Sequence, residues 1–155
     1  MNESSPALMR LSVIIPVFNE AGTLARMAGV VLARPEVGEL VVVDDASSDG
    51  TWEELQRLVA ANPERVKALR HERNRGKGAA LKTGFAAATG DIVLVQDADL
   101  EYDPGDYPRL LEPVLRGAAD AVFGSRFIGG SSHRVLYFWH SLGNRFLTLL
   151  SNMVT

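Results

Sequence analysis

The stretch DIVLVQDAD, Asp91 to Asp99, sets an apolar run directly against a pair of acids. Its core, Ile92 to Val95, is continuous rather than alternating, which is the pattern of a strand covered on both faces. Three further runs have the same character: LSVIIPVF (Leu11 to Phe18), ELVVVDDA (Glu39 to Ala46) and DAVFGSR (Asp120 to Arg126). A weaker one, VKALRHE, covers Val66 to Glu72. The intervening segments carry helical spacing. Leu24, Met27, Ala28 and Val31 share one face, as do Trp52, Leu55 and Val59, with Thr51 and Glu54 in capping-box register. Asn62-Pro63 ends that helix. Lys77 to Ala88 reads as an Ala-rich helix closed by Thr89-Gly90, and Asp103-Pro104 as an N-cap and N1 proline before a Leu110, Leu111, Val114 face. Strands alternating with helices of this length imply right-handed crossovers. The fold class is therefore α/β: a Rossmann-like domain with a mostly parallel central sheet flanked by helices.

Composition narrows the function classes. The 155 residues are 46% hydrophobic and 23% charged, with net charge -3, which suits one globular domain. A slightly acidic chain without a basic block argues against a nucleic-acid binder that works by neutralising many phosphates. The absence of cysteine removes thiolate zinc sites and thiol nucleophiles. Any metal must sit on oxygen or histidine, and His71, His133 and His140 have no ligand spacing and read as non-metal. Residues 1–10 lack the basic start and apolar core of a signal peptide and read as a flexible tail. No run of 18 apolar residues is present, so the chain reads as cytoplasmic, or peripheral at the cytoplasmic face of a membrane.

In open parallel sheets ligands gather at the carboxyl ends of strands. The polar clusters fall there repeatedly: Pro16, Phe18, Asn19 and Glu20 after the first strand, Asp44, Asp45 and SSDGT after the second, Asp97, Asp99 and Glu101 after the fourth, and Gly124, Ser125 and Arg126 after the fifth. On an extended strand Asp97, Asp99 and Glu101 share one side. Three carboxylates so placed repel unless a cation joins them, and all-oxygen ligation favours Mg²⁺ or Mn²⁺. The bland alternative is that D-x-D is a common tripeptide of solvated loops. Asp44 and Asp45 point oppositely, and Asp45, nearer the turn, is the candidate for a ribose or base contact. Ser47 to Gly50 are the residues any turn uses. Asn19 is either a helix cap or part of the site. RNRGKGAAL, Arg73 to Leu81, offers backbone amides and Lys77 to an anion at a helix start. Neither a Walker loop nor G-x-G-x-x-G after the first strand occurs, which excludes the usual triphosphatase and dinucleotide signatures. Arg126 is suited to a bidentate phosphate contact.

Taken in order, PVFNE, DDASSDGT, NRGKGAAL, QDADLE and GSRF closely resemble the family 2 glycosyltransferases of GT-A fold, over about Leu11 to the last residue. Within that family the chain looks most like the transferases that glycosylate polyprenyl (dolichyl or undecaprenyl) phosphate. The resemblance implies that Pro16, Phe18, Glu20, Val43 and Asp45 hold the nucleoside, that Asp97 and Ala98 contact the nucleotide, that Asp99 and Glu101 ligate the metal, and that Arg126 meets phosphate. Lys77 joins the nucleotide-binding set. Asp97, Asp99 and Arg126 are then the catalytic residues. Phe18 stands where many members have tyrosine, leaving ring packing without a hydroxyl.

The implied reaction is an inverting, Mg²⁺- or Mn²⁺-dependent transfer of mannose or glucose from a GDP or UDP sugar to a polyprenyl phosphate. A saccharide acceptor and a nucleotide-sugar-binding module without turnover are the alternatives. The domain organisation expected is a catalytic domain over 11–133 and an amphipathic helix over 134–155, whose apolar face suits either a membrane interface or the domain's own core. Family members continue further, so the chain reads as shorter than its relatives.

Overall fold

A computed structural model describes residues 9–99 and 101–124. The chain divides into two compact units, one reaching Tyr107 and one starting at Pro108. In the first unit, β1 (Leu11–Val17), β2 (Val37–Asp44), β3 (Val66–Arg70) and β4 (Ile92–Val95) form a sheet of order β3-β2-β1-β4, every pairing parallel. The helices α1 (Leu24–Leu32), α2 (Thr51–Ala61) and α3 (Lys77–Ala87) are the crossovers. This is the expected α/β architecture. The chain winds outward from β1 to β3, then returns to the other side of β1 as β4, so the strand order reverses between β1 and β4.

The central strands are apolar throughout because both faces are covered: Val13, Ile14 and Ile15 on β1 and Leu40 to Val43 on β2 are fully buried. One face receives α1 through Leu24, Met27, Ala28 and Val31, the stripe legible in the sequence. α3 packs against β1 and β2 through small residues. A Cβ on Gly84 would come within 2.5 Å of Ile14 Cγ2, so only glycine lets this helix approach so closely. At the amino ends of the strands, buried Glu39 accepts from Ser12 Oγ (2.5 Å), Thr89 N (2.9 Å) and Thr89 Oγ1 (3.1 Å) and pairs with Lys67 Nζ (2.5 Å). That network ties three strands and the α3–β4 turn together.

Several sequence expectations change. The fourth strand stops at Val95, short of Asp97, so same-side alternation does not govern Asp97, Asp99 and Glu101. Instead Gln96 Nε2 donates to the carbonyls of Asp97 (3.1 Å) and Tyr102 (3.2 Å), while Asp99 Oδ1 accepts from Glu101 N (3.0 Å), folding the acidic segment into a turn. The Tyr107 hydroxyl donates to Gln96 Oε1 (2.9 Å), and burial pushes its ionisation up. Thr51 is not the cap of α2. Gly50 (φ 93°) takes that position, and Asp49 Oδ1 accepts from Thr51 N and Oγ1.

Asp103 caps as expected, its Oδ1 accepting from Gly105 N (2.8 Å) before a 3-10 turn, Pro104–Asp106, that leads into α4 (Tyr107–Leu115). Within α4, Leu111 is buried while Leu110 and Val114 are half-buried. Gly117 (φ 67°) follows the helix end. Asp120 to Gly124, expected to open a fifth strand, have no regular structure, and Phe123 is 91% exposed. A β-prone run becomes a strand only with a ladder partner, and this one has none among the described residues. Ser125, Arg126 and the expected 134–155 helix lie outside the described residues. No described helix is long and apolar enough to cross a membrane.

Candidate functional site

A cavity of about 350 Å³ opens at the carboxyl ends of β1, β2 and β4, where the strand order reverses. Its origin is partly local to β1. Backbone groups of alternate strand residues point the same way. Ile14 O accepts from Gln96 N (2.9 Å), so Pro16 also faces the β4 side, and proline has no N–H to give there. The β1–β4 ladder accordingly ends at Ile14 and Val95. The strands part beyond it.

One wall is built by two interlocked turns. Asn19 N donates to Ser47 Oγ (2.9 Å), Ser48 N to Asn19 Oδ1 (2.9 Å), Glu20 N to Thr51 Oγ1 (2.8 Å) and Ala21 N to Asp49 Oδ2 (3.2 Å). Asn19 therefore braces the neighbouring turn rather than capping α1. Asn19 (φ 58°) and Ala46 (φ 64°) both occupy the left-handed region, so this wall holds its shape against some backbone strain. The Thr51 hydroxyl foremost holds the Asp49 carboxyl below the usual range. Ser47 to Gly50 act as the turn residues they resemble. Pro16, Phe18 and Glu20 line the cavity, with Phe18 47% exposed at its rim and the Glu20 carboxylate accepting from Thr23 Oγ1 (2.5 Å).

The second strand resolves its adjacent acids as expected in position and differently in chemistry. Asp44 is buried away from the cavity, accepting from Ser47 N (2.9 Å) and paired with Arg70 Nε (3.1 Å), whose guanidinium lies over Trp52. Asp45 lines the cavity. Its carboxylate is already held by His71 Nδ1 (2.6 Å), Arg75 N (3.0 and 3.1 Å) and Gly76 N (2.7 Å). Burial pushes this carboxyl up, but the His71 bond and the two amides outweigh it and keep the carboxyl below its usual range. Val43, expected among the nucleoside contacts, instead points into the core with Ile14, Val41 and Ala80. The two-residue repeat of the strand sends it to the face that α3 covers.

The acidic end is formed by Asp97, Ala98 and Asp99, all at the cavity. Lys77, the first residue of α3, reaches across so that its Nζ lies 2.5 Å from Asp97 Oδ1. Glu101 is exposed outside the cavity lining, so the expected trio of carboxylates does not converge. Among the described residues no group of three or more acids or histidines is placed to hold a metal ion. The carboxylates lining the cavity are Glu20, Asp45, Asp97 and Asp99; Glu20 and Asp45 are already engaged by Thr23 and by His71 with two amides, and among the described residues no histidine joins the lining. That set fits a hard divalent ion that keeps water and phosphate oxygens in its shell.

Sequence reasoning passed over two residues that shape the site, His71 and Gln96. His71 follows β3 at the same sheet edge, and that was its available signal. Gln96 looked like the last polar residue of a strand.

Comparison with known proteins agrees with this geometry. The profile of the family described as "Glycosyl transferase family 2" matches residues 12–151. A dolichol-phosphate mannosyltransferase of Pyrococcus furiosus is 37% identical over 136 residues, covering 86% of this chain and 38% of that protein. An undecaprenyl-phosphate 4-deoxy-4-formamido-L-arabinose transferase of Aeromonas hydrophila is 36% identical, covering 69% and 34%. The chain thus spans little more than a third of the length of these relatives. Among solved structures, a mannosyltransferase of Pyrobaculum calidifontis in complex with GDP-Man and Mn²⁺ superposes with TM-score 0.55 at 33% identity, covering 63% of this chain and 30% of that one. Glucosyl-3-phosphoglycerate synthase of Mycobacterium tuberculosis with UDP and Mn²⁺ superposes with TM-score 0.54 at 32% identity, covering 69% and 40%. The sheet order, the motifs in sequence and these likenesses together establish that the chain belongs to glycosyl transferase family 2, with the GT-A fold.

Proposed function

We propose that the chain carries the nucleotide-sugar-binding part of a glycosyltransferase that moves a hexose from a nucleoside diphosphate sugar to a polyprenyl phosphate. The observation that carries the reading is the cavity where β1 and β4 part, lined by Phe18, Asp45, Asp97 and Asp99, with Lys77 paired to Asp97. The nucleoside lies along Pro16, Phe18, Glu20 and Asp45, with the Phe18 ring as an apolar platform. The diphosphate lies toward Lys77, Asp97 and Ala98. Arg126, outside the described residues, is the further phosphate contact. The lipid-phosphate acceptor is drawn from the relatives, two of which are named for transfer to polyprenyl phosphates.

Mn²⁺ or Mg²⁺ would be held by Asp99, with Asp97 adjacent and Glu101 recruited only if the 97–102 turn rearranges. When bound, the ion would neutralise charge developing on the departing nucleoside diphosphate. The protein's own contribution is orientation: the braced turns fix the nucleoside, and the Lys77 ammonium exchanges its Asp97 partner for phosphate oxygens. A lipid monophosphate already carries a nucleophilic oxyanion, so the acceptor needs little help from a protein base. The donor is GDP-mannose or UDP-glucose, the choices nearest the neighbours' ligands.

Calorimetric titration with GDP and with UDP, each with Mn²⁺, tests the reading. One nucleotide is expected to bind, and Asp99→Ala to abolish the Mn²⁺ dependence of binding. Failure of both nucleotides to bind the wild-type chain, or full metal dependence in Asp99→Ala, would overturn it.

A further inference from the structure

We propose that His71 is a positioning residue of the nucleotide site: by holding the Asp45 carboxylate it fixes the Arg73–Lys77 turn and so sets where Lys77 stands. The binding arm of this inference rests on the nucleotide-sugar reading above, whereas its structural arm does not.

His71 is nearly buried and both ring nitrogens are engaged, Nδ1 with Asp45 Oδ1 (2.6 Å) and Nε2 with Thr83 Oγ1 (2.9 Å). A carboxylate only accepts, so Nδ1 carries the proton and donates to Asp45. The His71 backbone N–H donates to Asp44 O (2.9 Å), which anchors the ring beside the end of β2. One imidazole therefore links the ends of β2 and β3 to the body of α3. The leverage lies in what else Asp45 holds. Its oxygens accept from the amides of Arg75 and Gly76, and Gly76 adopts φ 86°, a conformation other residues rarely take. The next residue is Lys77, whose ammonium meets Asp97.

A histidine serving only to fill the core would have no reason to fix a cavity-lining carboxylate. With His71 replaced by an apolar residue, Asp45 keeps its two amides but loses the donor that sets its rotamer. The turn and Lys77 then lose their common reference. Asparagine places an amide nitrogen near the position of Nδ1 and restores that donor. Glutamine reaches toward Thr83 instead.

Two measurements on the chain decide the matter. In amide hydrogen exchange, His71→Leu is expected to speed exchange at Arg75 and Gly76 by about tenfold, the loss of one charge-assisted hydrogen bond, with Val13, Val41 and Val42 unchanged. In calorimetry, the same variant should weaken the nucleotide that the wild type binds by about tenfold, and His71→Asn should stay within about threefold of the wild type. Unchanged exchange at Arg75 and Gly76 overturns the inference, as does equal loss of protection across the sheet in both variants. Should His71→Leu fail to fold, His71→Asn and His71→Gln carry the test. A turn tight in the first and loose in the second supports the inference, and the reverse overturns it. Failure of the wild type to bind either nucleotide sinks the nucleotide-sugar reading and leaves the exchange measurement to judge His71.

Discussion

Glu39 illustrates how a charge is stabilised inside this sheet. Burial alone would raise its carboxyl, but Lys67, Ser12 and Thr89 more than offset that and hold it at about 2. Because the folded value lies below the unfolded one, the stabilisation is complete above about pH 4.5 and is lost as pH falls toward 2. Glu39→Gln is expected to be less stable at pH 7 by on the order of 2 kcal/mol, allowing for solvent screening of the half-exposed Lys67. Its urea midpoint should also vary less than the wild type's between pH 5 and 2. Equal pH slopes would show that the carboxylate contributes nothing. Individual residues were legible only in part. Asp45, Lys77, Asp97 and Asp99 were legible as residues of one sheet edge, and the structure sets all four around one cavity. Glu39, His71 and Gln96 take their meaning from partners elsewhere in the fold, such as Thr89, 50 residues from Glu39, and Asp45, 26 from His71. Single-chain periodicity carries no such information. The buried side chain of Val43 shows a related limit, since a motif position does not say which face of its strand is covered.

Among the elements, α3 is the lever that places Lys77. Its fully buried contacts with the sheet are Ala80 and Gly84, with Leu81 half-buried against the same cluster. Gly84→Val should force the helix away from Ile14, costing about 1 to 3 kcal/mol as overpacking does. That corresponds to a fall in Tm of several degrees by circular dichroism. Nucleotide affinity should fall with it, because the helix start moves too. An unchanged Tm would mean that the sheet gives way without penalty. Helices with one apolar stripe were read correctly, α1 to the residue, because burial on one face leaves a 3.6-residue signature. The end of β4 was not, because Gln96 side-chain bonds, not hydrophobicity, decide where the extended chain turns. The fifth apolar run shows the converse: Val122 and Phe123 have strand character but no described neighbour to pair with.

For the molecule as a whole, ligand binding and stability are linked. If one nucleotide binds with Mn²⁺ only to the folded chain, a concentration one hundred times its Kd should stabilise the chain by about 2.7 kcal/mol. A thermal scan should show this as a raised Tm that EDTA reverses, and a shift that survives EDTA would separate binding from the metal. The fold class was legible as a whole because alternating strands and helices admit few topologies, whereas the site was legible only as a sheet edge. The break in the β1–β4 ladder at Pro16 carries one more implication. Its two sides come from parts of the chain some 80 residues apart, as the Arg10 to Asp91 bond across an 81-residue separation attests. A refolding chain lacks the Asp97–Asp99 end of the cavity until its last described strand docks, so whatever part of nucleotide capture depends on that end should emerge in the same kinetic event as the completed sheet.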